Sequence, residues 1–169
     1  MNTEEAIRLC SEAAEIIAVE DPSPEDCAKA YSMFGRAADE GYPEGYFGMA
    51  EMTLYGLGTE ADTHRAVEFY IKASELGSTP ADFRLGVIFA NVDGLTDYTR
   101  ARKYFEKCQK AEFPPVYEEL GDLWLYGLGV RKNEDRALGY FIRSADAAGS
   151  VSAKLKAGYI LLKRGETDR

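Results

Sequence analysis

The stretch "LYGLG" stands at residues 54–58 and again at 125–129, and this repetition limits the fold more than any other feature of the chain. The copies begin 71 residues apart, close to twice 35 or 36, so a degenerate copy belongs midway. "LGVIFANVDG" at 85–94 fills that place and keeps only the last glycine, Gly94. Its Leu85-Gly86 aligns with Leu120-Gly121 and with Met49-Ala50, and Ala157-Gly158 stands where a further copy falls.

A second pattern follows each loop. Ala30, Met33, Phe34 and Ala37 recur as Ala66, Phe69, Tyr70 and Ala73, then as Ala101, Tyr104, Phe105 and Cys108, then as Ala137, Tyr140, Phe141 and Ser144, at intervals of 36, 35 and 36. Spacings of three, four and seven place each set on one stripe of a helix, small and aromatic residues together, as closely packed neighbouring helices require. The pairs Phe69/Tyr70 and Tyr140/Phe141 are therefore expected in the core, with Trp124, which matches Thr53 and Phe89.

Helix boundaries keep the same phase. Ser23 with Pro24, Asp62, Asp97 and Asn133 are N-cap candidates, and Gly41, Gly77 and Gly149 close three of the helices that follow. The other is expected to stop at Pro114 and Pro115. Helices are predicted over 4–18 and 24–40, 44–55 and 63–76, 80–91 and 98–111, 115–126 and 134–148, and about 152–164. No segment alternates as a strand does. A single pair cannot bury its own apolar face, so pairs must stack. The expectation is an all-α chain, an α/α superhelical solenoid of about four helix pairs plus a C-terminal closing helix. It forms one domain over 1–169, with units at about 4–40, 44–77, 80–112 and 115–149 and a partial unit at 152–165.

Composition narrows the function. A net charge of -9 and a pI near 4.7, with basic residues scattered among acids, argue against nucleic acid, whose phosphates need clustered Lys and Arg. No run of about 18 apolar residues could span a membrane. The start mixes Glu4, Glu5, Arg8 and Glu12 with apolar residues, unlike a signal peptide, so the chain is expected in the cytoplasm. Cys10, Cys27 and Cys108 form neither a disulfide framework nor a zinc spacing, and no metal or cofactor is expected.

The order Leu-Gly, aromatic, Gly-x-Gly-Val, Asp or Asn, Ala, aromatic, Gly resembles the Sel-one-like repeat, an α/α relative of the tetratricopeptide repeat with a longer turn inside each hairpin. Val116, Leu120, Gly121, Trp124, Gly127, Gly129, Val130, Asn133, Ala137, Phe141 and Gly149 form the fullest copy, and the likeness extends over about 28–165. The first helix lacks both loop glycines and fits a cap. A tetratricopeptide array, with a period of about 34, leaves no room for the Gly-x-Gly turn. The resemblance implies a non-enzymatic adaptor or scaffold. Its alternative is a hydrolase of the β-lactamase type described for cysteine-rich relatives, although this chain has neither their paired cysteines nor a Ser-x-x-Lys motif.

Conspicuous residues mostly have structural readings. "YGLGV" lacks the Gly-Lys-Ser/Thr ending of a phosphate loop, so its glycines make the turn. Gly86, Gly121 and Gly158 lie within helices and are expected to admit a partner helix. His64 opens a helix with no nucleophile nominated beside it. If first helices line a concave face, the lining comprises Phe47, Glu51, Tyr55, Phe83, Val87, Asn91, Glu118, Asp122, Tyr126 and Tyr159. Aromatic and acidic side chains mixed in this way suit a protein or peptide segment with apolar anchors and Lys or Arg. Some of these positions could instead seal the joint between neighbouring repeats. Homo-oligomerisation is left open.

Overall fold

The computed structural model describes residues 3–165. Among them run nine helices: α1 (Thr3–Ile17), α2 (Pro24–Asp39), α3 (Pro43–Tyr55), α4 (Thr63–Glu75), α5 (Thr79–Asn91), α6 (Tyr98–Lys110), α7 (Val116–Tyr126), α8 (Glu134–Ala148) and α9 (Val151–Lys163). They pack in sequential pairs, four repeats and a C-terminal helix, and the described residues contain no strand. Every predicted helix is present with ends within two residues of its expected place.

The caps explain why the ends fall where they do. The side chains of Ser23, Asp62 and Asn133 each accept a hydrogen bond from the backbone N–H three residues on, at 3.1, 3.0 and 2.9 Å, and Asp97 accepts from Thr99 and Arg100. Gly41, Gly77 and Gly149 take the left-handed conformation that closes a helix. The expectation for α6 needs correction. Before the prolines are reached, Glu112 itself turns left-handed at φ 52°, and the Phe113 N–H bonds back to the Cys108 carbonyl at 3.0 Å. The same closing bond runs from Tyr42 to Ala37 and from Ser78 to Ala73, so one motif ends three helices, once without glycine.

The chain divides into two compact units, one up to Asp82 and one from Phe83. In the first, Ala6, Leu9, Ala13, Ala30, Phe34, Ala37 and Met52 form the centre of a core shared by α1, α2 and α3. Tyr70 of α4 is fully buried, and the Ser74 hydroxyl donates to Asp82 at 2.6 Å. In the second unit, Phe105 and Phe141 are fully buried, and Ala137, Phe141, Ala153, Ala157 and Ile160 form a core between α8 and α9.

Small residues at the repeat register let these rings approach. A Cβ at Gly86 would overlap the Phe105 ring, and one at Gly121 the Phe141 ring. Gly158 departs from this reading, because nothing lies within 4 Å of the place a Cβ would take. It sits on the exposed side of α9, which among the described residues no later helix covers.

The core expectation for paired aromatics also needs division. Tyr70 and Phe141 are buried completely, whereas Phe69, Tyr140 and Tyr104 are only half-buried and border the outer side of their helices. Trp124 is half-buried too, its ring covered by the Arg136 guanidinium at 4.4 Å. One member of each aromatic pair points into the pair of helices, and its neighbour, 100° around the helix, cannot.

Candidate functional site

In the first unit, the first helices α1 and α3 stand apart over the ring of Phe34 and leave a cleft of about 410 Å³. Ile7, Cys10, Ala14 and Ile17 form one wall, and Phe47 and Gly48 the other. Gly48 makes the floor possible, since a Cβ there would overlap Phe34. Glu44 and Glu51 supply the carboxylates of an otherwise apolar lining. Burial, then the charge of Glu44, pushes the Cys10 thiol up to about 11, so it is protonated at neutral pH and a weak nucleophile. The chemistry on offer is apolar contact beside negative charge.

Two of the expected lining residues thus meet in the cleft, and both also touch Tyr70. Phe47 packs edge-on against its ring at 5.8 Å, and Glu51 accepts a hydrogen bond from its hydroxyl. Tyr55, 60% exposed at the end of α3, lies outside the cleft. The wall from α1 was missed by sequence reading, because that helix lacks the loop glycines that set the register elsewhere. Its Ile7, Cys10, Ala14 and Ile17 do, however, follow one another at helical spacings of three, four and three, which was a usable signal.

The second unit treats its expected residues differently. Phe83 is half-buried between Phe113 and Phe105, with ring centroids at 5.5 and 6.2 Å, and Val87, one helical turn on, is half-buried too. Asn91 is exposed and its amide donates to the Val87 carbonyl at 3.1 Å. Glu118 and Asp122 join α7 to α9: Lys156 donates to them at 2.9 and 2.7 Å, and Ser150 donates to Glu118 at 2.7 Å. Burial works to raise the Glu118 pKa, but hydrogen bonds from Ser152, Ser150 and Lys156 outweigh it and hold the carboxyl below its ordinary value. Burial likewise opposes the charge on Lys156, and its bonds to Asp122 and Glu118 prevail and raise it. These acids serve the joint between repeats, the alternative that the sequence had left open.

Tyr126 and Tyr159 do come together. They are 63% and 66% exposed and border a hollow of about 520 Å³ with Leu125, Leu155, Lys132 and Lys163. His64 is exposed in the first turn of α4.

Charge is less evenly spread than a reading of scattered basic residues suggests. Residues 1–82 hold 17 acids and five Lys or Arg, a net of -12, while residues 83–169 hold 12 acids and 15 Lys or Arg, a net of +3.

Helices packed in sequential pairs, two of which turn through a Gly-x-Gly loop, define a helical repeat protein. The Sel1 repeat family matches residues 20–42, 43–78, 79–107 and 115–148, and the chain belongs to that family. Such repeats mediate protein interactions. Among solved structures, the chain is similar to a Sel1 repeat protein from Oxalobacter formigenes, 25% identical, with 99% of this chain and 67% of that one covered and a TM-score of 0.82. It also shares the fold of c5321, a protective antigen of uropathogenic Escherichia coli strains, at 23% identity and a TM-score of 0.81 over 96% of this chain and 34% of that one. A curated relative, the ERAD-associated E3 ubiquitin-protein ligase component HRD3A of Arabidopsis thaliana, is 33% identical over 57% of this chain. The match spans only 15% of that relative's length. Among the described residues no helix is long and apolar enough to cross a membrane.

Proposed function

We propose that this chain is an adaptor that captures a segment of a partner protein on its first-helix face, with the cleft between α1 and α3 as the anchor pocket. One observation carries the reading: an apolar cleft of about 410 Å³, edged by Glu44 and Glu51, lies in the unit with a net charge of -12. Apolar side chains of the partner would supply most of the affinity, and the acids would favour Lys or Arg flanking them and speed encounter. The hollow with Tyr126 and Tyr159 is a second contact in the other unit. Against the hydrolase alternative stand Cys10 and Cys27, buried and outside any disulfide, and a Cys10 thiol held protonated. These reduced thiols also support the cytoplasmic reading.

A displayed library of random 12-residue peptides, selected on the folded protein, tests this. Selected peptides should carry an apolar residue flanked by Lys or Arg. Ala14→Trp, which fills the cleft from an exposed position, should weaken their binding at least tenfold, and Glu44→Lys at least threefold. Peptides that bind the Ala14→Trp protein as well as the parent would remove the cleft from consideration.

A further inference from the structure

The second helices carry a pattern of cations that the proposed cleft does not use. Lys29, Met33 and Arg36 of α2 recur as Arg65, Phe69 and Lys72 of α4, as Arg100, Tyr104 and Lys107 of α6, and as Arg136, Tyr140 and Arg143 of α8. Offsets of four and seven keep each triplet on one stripe, cation, middle residue, cation. In the first unit this stripe is partly neutralised, Arg36 by Glu5 and Lys72 by Glu75, each at 3.4 Å. In the second unit, no carboxylate among the described residues pairs with Arg100, Lys103, Arg136 or Arg143.

Aromatic rings hold these arginines instead. Arg100 lies 3.8 Å over Phe89, Arg136 4.4 Å over Trp124 and Arg143 4.3 Å over Tyr117. A guanidinium held over a ring keeps N–H donors for a planar acceptor, and the ring fixes it without neutralising it. Two shallow hollows result, of about 290 and 300 Å³, one bordered by Arg100, Lys103 and Tyr104, the other by Arg136, Tyr140 and Arg143. The Tyr140 hydroxyl donates to Gln109 of α6 at 3.3 Å, which keeps the two side by side.

We propose that this outer face of α6 and α8 is a second docking surface, which takes an acidic segment of a protein through carboxylates on Arg100, Lys103, Arg136 and Arg143. Charge complementarity selects the occupant. Carboxylates match the guanidinium N–H donors in bidentate geometry, and the tyrosine in each hollow offers an apolar ring beside them. A dense polyanion such as nucleic acid suits the chain poorly, because the molecule as a whole carries -9 and repels extended negative charge. A short acidic segment engages only the local cations, within a Debye length of about 8 Å at physiological salt.

The test is fluorescence anisotropy with a labelled 12-residue peptide that alternates Glu or Asp with apolar residues, titrated with the full chain in 0.15 M salt. The parent should bind it. Arg100→Glu with Arg136→Glu should weaken binding at least tenfold, while Lys29→Glu with Arg65→Glu, equal in charge and in the same register of the first unit, should leave it within twofold. Lys103→Glu guards against loss of folding, since this exposed side chain holds nothing in place, and should weaken binding about threefold. Ala14→Trp should have no effect here, so failure of the cleft and failure of this face are separable. Equal losses in the two double variants, tighter binding of a single-stranded oligonucleotide of matched charge, or no binding of the peptide would each overturn the proposal.

Discussion

At Gly121 the absence of a side chain is what allows the pair α7 and α8 to close, because the Phe141 ring occupies the space. Gly121→Leu should therefore lose about 2 kcal/mol or more through overpacking, read as a lower denaturation midpoint than that of an exposed control such as Lys103→Ala. Gly158 stands in the same register with open space around it, so Gly158→Ala should have the opposite sign, a gain of up to about 1 kcal/mol from helix propensity alone. Glu112 offers a third comparison. Its left-handed backbone costs an L-residue about 1–2 kcal/mol, so Glu112→Gly should raise the midpoint although it removes a side chain. A fall in stability would show that the glutamate side chain outweighs the strain. These residues also mark what a sequence can convey. Gly121 was legible because a repeat supplied its partner, Phe141, at a fixed interval. Gly158 carries the same register without that partner, and Glu112 hides a glycine's conformation under an unremarkable name.

Between elements, the joint of α7 and α9 rests on Lys156 held by Glu118 and Asp122. All three side chains are about a quarter exposed, at 28%, 24% and 27%, so solvent limits the joint to about 1 kcal/mol per pair. Glu118 has a lowered pKa, so its contribution is present above the ordinary 4.5 and is lost as pH falls through the lowered value. Lys156 has a raised pKa, so its contribution is complete below the ordinary 10.5 and is lost as pH rises through the raised value. Lys156→Gln should accordingly be less stable by about 1–2 kcal/mol at pH 7, and the difference should shrink in strong acid. An unchanged difference at low pH would mean the lysine acts by packing its stem. Nearby, burial and then the charge of Asp122 raise the pKa of Glu119, which favours the protonated folded state and works against folding at neutral pH. Glu119→Gln should be neutral or stabilising at pH 7 in the same chemical melts. Helix spans were readable from capping residues and period, yet the role of these acids was not. Their cation comes from another helix, 38 and 34 residues further on, and an acid that faces a groove and one that faces a neighbouring lysine have the same spelling.

For the whole molecule, the net charge of -9 is the sum of a half at -12 and a half at +3. Self-repulsion burdens the first half alone, and salt should relieve it there. Hydrogen exchange at about 10 mM and 300 mM salt should show added protection in α1 to α4 and little change in α6 to α9; an equal response in both would mean that local ion pairs, not the regional excess of acid, govern stability. The same partition makes the isoelectric point misleading as a guide to handling. Near pH 4.7, after its carboxylates have taken up protons, the molecule has no net charge, but the first half is still the more acidic and the second the more basic, so the remaining charges cancel rather than vanish. Copies in that solution attract one another, acidic half to basic half, so turbidity should peak around this pH, vanish on added salt, and follow the charge of the second half when its arginines are reversed.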